Sequence, residues 1–304
     1  MLPLPDAVAA DLDALIARAL AEDVGHGDVT TEATIPAGTA ATARFLLKED
    51  GVVAGLAVAE RVFEAVDPDL DVAWTAADGD RLSAGTVFGT VAGRARSILV
   101  AERLALNLMQ RMGGIATAAA RMAEAAAPAV VLDTRKTAPG LRALDKWAVA
   151  LGGAANHRAG LYDMVLVKDN HIAAAGGVRA AIDAVGRHLI ETDYDVQVEV
   201  EARTLDEVDA VLDAVASGAR VDRVLLDNMA RRTDAGLDVS MLEEAVRRVG
   251  GRVETEASGN VTLETVGRIG QTGVDYISSG ALTHSVTALD VSLKIGLEGS
   301  GLTL

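Results

Sequence analysis

The chain has no cysteine, which excludes disulfide staples and thiolate metal sites. Aromatic residues are 3% of its 304 residues, so the core must come mainly from Ala, Val, Leu and Ile. No uninterrupted apolar run reaches the roughly 18 residues of a membrane-crossing helix. Nor does the N-terminus carry a basic stretch followed by an apolar one. The chain therefore reads as soluble and cytoplasmic, with no membrane partner. Positive charge is also in deficit: 28 Lys and Arg face 44 Asp and Glu, for a net charge of −16. That balance argues against nucleic-acid binding, which wants a basic face. Half the residues are apolar, which excludes a disordered chain, and the length suits one barrel-sized domain or two domains.

Against this acidic background, residues 130–172 stand out. They hold three of the five lysines and two of the five histidines, and six Lys/Arg here face four Asp. The apolar run Val130–Leu132 stops at Asp133-Thr134-Arg135-Lys136, and the run Met164–Val167 stops at Lys168-Asp169-Asn170-His171. Such a patch points to an anionic ligand. Salt screens charges beyond roughly 8 Å, so a local basic cluster governs its own pocket.

The hydrophobic rhythm divides the chain. Asp6–Ala21 has helical spacing, and Glu22–Thr31 reads as a loop. Strands are expected at Ala41–Leu47, Gly51–Ala54, Asp71–Trp74 and Thr86–Val91, with a helix at Leu56–Ala65. A long helix, Ala95–Ala127, is interrupted by Gly113-Gly114, which marks either a kink or a close approach. The domain boundary is placed there: residues 1–113 as an α+β sandwich and 114–285 as an α/β barrel. The tail 286–304, with a strand or short helix at Ala288–Ile295, rejoins the first domain. From residue 129 strands alternate with helices, which argues for a parallel sheet closed or nearly closed into a barrel.

Barrels bind ligands at the C-terminal ends of their strands. Six such ends here are polar: Thr134-Arg135-Lys136, Lys168-Asp169-Asn170, Glu199 with Glu201, Asp227-Asn228, Ser258-Gly259-Asn260 and Ser279-Gly280-Ala281. Arg135 and Arg158 offer planar forks for carboxylate or phosphate, and Lys136 and Lys168 offer point charges. Glu199 and Asp227 are hard oxygen donors for Mg²⁺ or sugar hydroxyls. The two Ser/Gly loops can present backbone N–H groups to a phosphate. Singly, most of these segments are ordinary turn chemistry or a solvated strand face. The joint pattern at six strand ends is what points to one site.

At these residues the chain resembles the quinolinate phosphoribosyltransferases, also called nicotinate-nucleotide pyrophosphorylases (carboxylating). The resemblance runs through EDVGHGDVTT (22–31), ERLALNLMQRMGGIAT (102–117) and the segment 133–172. It continues through VEVE (198–201), LLDNM (225–229), EASGN (256–260) and TGVDYISSGALTHS (272–285). It implies an α/β fold of type II phosphoribosyltransferase: an incomplete TIM-like α/β barrel plus an N-terminal α+β open-sandwich domain. It implies conversion of quinolinate and phosphoribosyl pyrophosphate to nicotinate mononucleotide, carbon dioxide and pyrophosphate in NAD biosynthesis, with Mg²⁺. It also implies a homodimer, open to further association, with shared active sites.

Carried over by motif, Arg135, His157 and Arg158 clamp the pyridine carboxylates beside Thr134, and Arg103 reaches them from the partner subunit. Lys136, Lys168 and His284 take the pyrophosphate or phosphate side. Glu199 and Asp227 hold ribose hydroxyls and, directly or through water, Mg²⁺. Ser258, Gly259, Asn260, Ser279, Gly280 and Ala281 cradle the 5-phosphate. Two departures from the family pattern stand out: Trp147 replaces an expected tyrosine, and the spacing from Glu201 to Asp227 is longer, which leaves Glu199 and Glu201 as alternatives. Two other readings remain, a transferase for another pyridine-like acceptor and a non-catalytic anion-binding homologue.

Overall fold

The computed structural model describes residues 4–234 and 236–297. Residues 298–304 of the expected tail lie outside the described residues. In chain order come α1 (Asp6–Val24), α2 (Val29–Thr34), β1 (Ala40–Leu47), β2 (Gly51–Val52), α3 (Leu56–Val66), β3 (Asp71–Trp74), β4 (Arg81–Leu82), β5 (Val87–Arg94) and α4 (Ala95–Ala126). Then follow β6 (Val130–Leu132), α5 (Arg142–Leu151), β7 (Val165–Val167), α6 (Asp169–Ala175), α7 (Val178–Thr192), β8 (Val198–Ala202), α8 (Leu205–Ala216) and β9 (Arg223–Asp227). The chain continues with β10 (Arg231–Thr233), β11 (Gly236–Asp238), α9 (Ser240–Val249), β12 (Glu254–Ser258), α10 (Leu263–Gly270), β13 (Tyr276–Ser278), α11 (Ala281–His284) and β14 (Val291–Leu297).

The described residues form two compact units: 4–120 with 138–153 and 285–297, and 121–137 with 154–284. The first holds an antiparallel sheet in the order β14-β1-β5-β3. Its core gathers the scarce aromatics. The Phe45 ring centre lies 4.7 Å from that of Trp74 and 5.9 Å from those of Phe63 and Phe88. The segment 138–153, assigned to the barrel by the sequence pattern, packs with this unit through α5. Arg111 donates to the fully buried Asp145 at 2.7 and 2.8 Å, and Trp147 is buried on the same helix.

Helix α4 runs unbroken through Gly113-Gly114, so the pair marks a close approach. A Cβ on Gly114 would stand 2.0 Å from the Thr287 carbonyl oxygen, and one on Gly113 2.8 Å from Leu289 Cδ2. The Ala288–Ile295 pattern resolves as β14, paired antiparallel with β1. The loop expected at residues 22–31 is shorter, because α2 starts at Val29 with Asp28 as its cap.

The second unit is a six-stranded parallel sheet in the order β6-β13-β12-β9-β8-β7. β6 and β7 are its two edges, so the barrel stays incomplete between them, as expected. The sequence pattern missed α6, which begins directly after β7. There the Lys168 N–H donates to His171 Nδ1 at 2.9 Å, a cap that Ser/Thr/Asp/Asn rules do not anticipate. It also missed the short β10–β11 hairpin. Among the described residues no helix is long and apolar enough to cross a membrane.

Candidate active site

Strand periodicity decides what faces the barrel interior. Val198 and Val200 pack in one cluster with Val167, Val178, Ile182 and Val211, so Glu199 and Glu201 face the other way, inward. In register beside them lie Arg223 and Leu225 on β9, then Glu254 and Glu256 on β12.

The lower interior is a closed polar floor. Arg223, 8% exposed, donates through Nη1 to Glu256 Oε2 and through Nη2 to Glu254 Oε2, both at 3.0 Å. Its guanidinium lies 3.8 Å above the Tyr276 ring. His157 Nε2 sits 3.0 Å from Glu199 Oε2 and 3.6 Å from Glu256 Oε2. The Arg158 N–H donates to His157 Nδ1 at 2.7 Å, which places the ring proton on Nε2, pointing at Glu199. The His157 N–H in turn donates to the buried Asp133 at 2.8 Å.

Burial pushes Glu199 up to about 7. Burial, and then the charge of Glu199, pushes Glu256 up to about 7 as well. Near neutral pH the two carboxyls therefore hold about one proton between them. The Oε1 atom of each is buried and receives no hydrogen bond from any other surrounding group.

Above this floor a cavity of about 360 Å³ opens, lined from all six strand ends. Thr134, Arg135 and Lys136 follow β6, Lys168 follows β7, and Glu201, Asp227, Ser258 and Ser278 close the ends of β8, β9, β12 and β13. His157, Arg158 and Glu256 also line it, with Leu166 and Leu225 as the apolar patches. Arg135 and Arg158 oppose each other here: burial, then the charge of Arg135, lowers the Arg158 guanidinium below its ordinary value. Arg135 Nε is buried with no acceptor. Burial, then the charges of Asp227 and Asp169, raises Glu201. Two guanidinium groups held together in one cavity fit a ligand with more than one negative group.

The Ser/Gly loops are built for close contact. Gly259 has φ +96°, and a Cβ there would lie 2.2 Å from Asn228 Oδ1 and 3.0 Å from the Asn228 nitrogen. Asn228 and Asn260 are themselves left-handed, with φ 57° and 54°. Ser279 Oγ donates to the Val261 carbonyl at 3.0 Å, tying the two loops together. At Gly280 a Cβ would stand 2.7 Å from Lys136 Cδ and 2.9 Å from His284 Cδ2, so glycine is needed where these two side chains cross.

Two family descriptions cover the chain: quinolinate phosphoribosyl transferase, N-terminal domain, over residues 28–113, and the C-terminal domain of the same enzyme over residues 115–294. The chain belongs to the quinolinate phosphoribosyltransferase family. It is 58% identical over 291 residues to the chloroplastic nicotinate-nucleotide pyrophosphorylase [carboxylating] of Arabidopsis thaliana, covering 95% of this chain and 84% of that one. It is 41% identical to the probable nicotinate-nucleotide pyrophosphorylase [carboxylating] of Synechocystis, over 93% of this chain and 92% of that one. The solved structure of NadC from Streptococcus pyogenes superposes with a TM-score of 0.86 at 38% identity, covering 95% of this chain and 97% of that one.

Of the family-derived site residues, Thr134, Arg135, Lys136, His157, Arg158, Lys168, Asp227 and Ser258 line the one cavity. Glu199 lies beneath it, fully buried, while Glu201 lines it beside Asp227. Gly259, Asn260, Ser279 and Gly280 belong to the loops around it, Ala281 and His284 to the short helix α11, and none of them is a lining group. Arg103 stands on α4 in the first unit, 58% exposed, with Glu102 3.8 Å away. Sequence reasoning assigned no role to Asp133, Arg223, Glu254, Glu256, Tyr276 or Ser278. For Glu254 and Glu256 a signal was available in ETEAS, where carboxylates stand at alternate positions, whereas in RVLLD Leu225 interrupts the alternation from Arg223 to Asp227.

Proposed function

We propose that this chain transfers the phosphoribosyl group of phosphoribosyl pyrophosphate to the ring nitrogen of quinolinate, releasing pyrophosphate and carbon dioxide, for NAD biosynthesis. The observation that carries this reading is the convergence of Arg135 and Arg158 on one cavity that also presents Lys136, Lys168 and Asp227. One end of that cavity suits a flat dicarboxylate and the other a polyphosphate. Both would be held by charge-assisted hydrogen bonds.

The chemistry follows from that division. Breaking the ribose–pyrophosphate bond leaves the electron pair on the pyrophosphate and builds positive charge at the sugar carbon. Lys136 and Lys168 meet the first charge, and Asp227 and Glu201 the second. The pyridine nitrogen attacks the sugar carbon and becomes a pyridinium. That cation accepts the electron pair left when the neighbouring carboxylate departs as carbon dioxide, and the ring carbon then takes up a proton. Arg135 and Arg158 orient the ring throughout.

Hard oxygen donors are what Mg²⁺ requires, and this site has them. Asp227 and Glu201 face the cavity, and the buried Oε1 atoms of Glu199 and Glu256 lack partners. Asp227 would hold the ion, with Glu199 or Glu201 assisting directly or through water. Mg²⁺ would supply charge neutralisation of the diphosphate. The Ser258–Asn260 and Ser279–Ala281 loops are assigned to the 5-phosphate. We extend the proposal to a homodimer in the cytoplasm, in which the exposed Arg103 completes the partner's dicarboxylate site.

The direct test is incubation with quinolinate, phosphoribosyl pyrophosphate and Mg²⁺, measuring nicotinate mononucleotide and carbon dioxide, with nicotinate as control acceptor. Product from quinolinate alone is expected. Preference for nicotinate, or no product under any condition, would refute the assignment.

A further inference from the structure

Arg203 has no part in the chemistry above, yet its position gives it one. It directly follows β8 on the rim of the barrel. Its N–H donates to Glu207 Oε2 at 2.7 Å, within the capping box that opens α8, so its main chain is pinned. Its side chain stays 52% exposed and reaches back across the strand ends. Nη1 donates to Asp169 Oδ2 at 3.2 Å, and Nε lies 3.9 Å from Asp227 Oδ2. Its charge also favours ionised Glu201. Asp169 and Asp227 thus share one guanidinium, and Asp227 also lines the cavity beside Glu201.

The grip on Asp227 is weak. Arg203 is half-exposed, its 3.9 Å approach is near the limit of a salt bridge, and the same Asp227 oxygen accepts from Asn228 Nδ2 at 2.5 Å. Such a pair suits exchange. A divalent cation arriving with a diphosphate competes for the same carboxylate and brings an anion with it. The guanidinium, still donating from Nη1 to Asp169, then has its Nε edge free for the anion.

We propose that Arg203 is an exchangeable counter-ion: it holds Asp227 in the free chain and passes to the diphosphate when a divalent cation takes Asp227. The proposal rests on the phosphoribosyl reading of the cavity and adds a positioning residue to it. A merely structural arginine would affect both ligands alike or neither. An exchangeable one affects them with opposite sign.

Arg203→Gln is the test variant, and Arg203→Lys keeps the charge without the fork. Arg179→Gln removes an exposed arginine of α7, paired with Asp183, and controls for net charge. Binding of Mn²⁺ alone is read by electron paramagnetic resonance, and binding of inorganic pyrophosphate at saturating Mn²⁺ by calorimetry. Thermal unfolding verifies that each variant folds. Arg203→Gln is expected to bind Mn²⁺ about two- to fivefold more tightly and pyrophosphate about fivefold more weakly. Arg203→Lys should fall between it and the parent on both. Unchanged affinities, shifts of the same sign, a shift in one ligand only, or shifts matched by Arg179→Gln would each overturn the proposal. Neither arm reads quinolinate turnover, so failure of the catalytic reading would show separately.

Discussion

Replacing Glu256 by glutamine interrogates the buried carboxyl pair. Burial, then the charge of Glu199, raises the Glu256 carboxyl from 4.5 to about 7. Between those values the folded chain binds more protons than the unfolded one. The stability of this group is therefore fully present below about 4.5 and is lost as pH rises through about 7. A shift of that size corresponds to about 3 kcal/mol for one group. Glu199 shifts in the same direction, but the pair shares a proton, so one group is the safer measure. The introduced amide would be neutral at every pH. Its oxygen can accept from Arg223, and its nitrogen can donate toward Glu199. The Glu256→Gln variant should therefore keep at least half of the roughly 3 kcal/mol that the parent loses between pH 5 and pH 8.5. Urea unfolding followed by circular dichroism at pH 5, 7 and 8.5 measures this. A parent whose stability does not fall with pH, or a variant that falls as steeply as the parent, would refute the shared-proton floor.

Arg135→Ala and Arg158→Ala should each lower turnover by at least about a hundredfold, as loss of a charge-assisted contact that orients the substrate implies. Quinolinate binding, read by calorimetry, should suffer more than phosphoribosyl pyrophosphate binding. Gly259→Ala should cost at least about 1 kcal/mol in urea unfolding, because the left-handed φ and the Asn228 backbone both oppose a Cβ. Mixing an inactive Arg103→Ala protein with an inactive Lys136→Ala protein should restore part of the activity, since a hybrid dimer regains one intact site. No recovery after demonstrated subunit exchange would argue against shared sites.

Much of the fold was legible because its signals are local. Alternating strand and helix patterns located the six parallel strands, and polar strand ends located the cavity mouth. The elements that were missed lack such signals. Helix α6 opens with a His171 side chain accepting from the Lys168 N–H, which resembles no common cap. The β10–β11 hairpin has the burial of a surface loop. The Gly113-Gly114 pair admitted both a kink and a close approach, and only the returning chain at Thr287–Leu289 decides between them.

The floor of the site escaped for a different reason. Polar residues inside a strand, such as Arg223 or Glu254, read as a solvated face because most half-buried strands have one. A barrel has no such face on the inside. Once the sheet curves on itself, the inward row must be either apolar or fully paired, since an unpaired buried charge costs several kcal/mol. Arg223 meets this condition for the buried Glu256, and the raised carboxyl pair meets it between Glu256 and Glu199. Among the described residues of this barrel, Arg135 Nε and the Oε1 atoms of Glu199 and Glu256 are buried without a donor or acceptor opposite them. Arg135 and Glu256 line the cavity, and Glu199 lies directly beneath it. A ligand that carries both hydroxyls and carboxylates supplies what these atoms lack. The boundary between structural and functional charge in this barrel is therefore one of height along the strands, which residue identities alone do not encode.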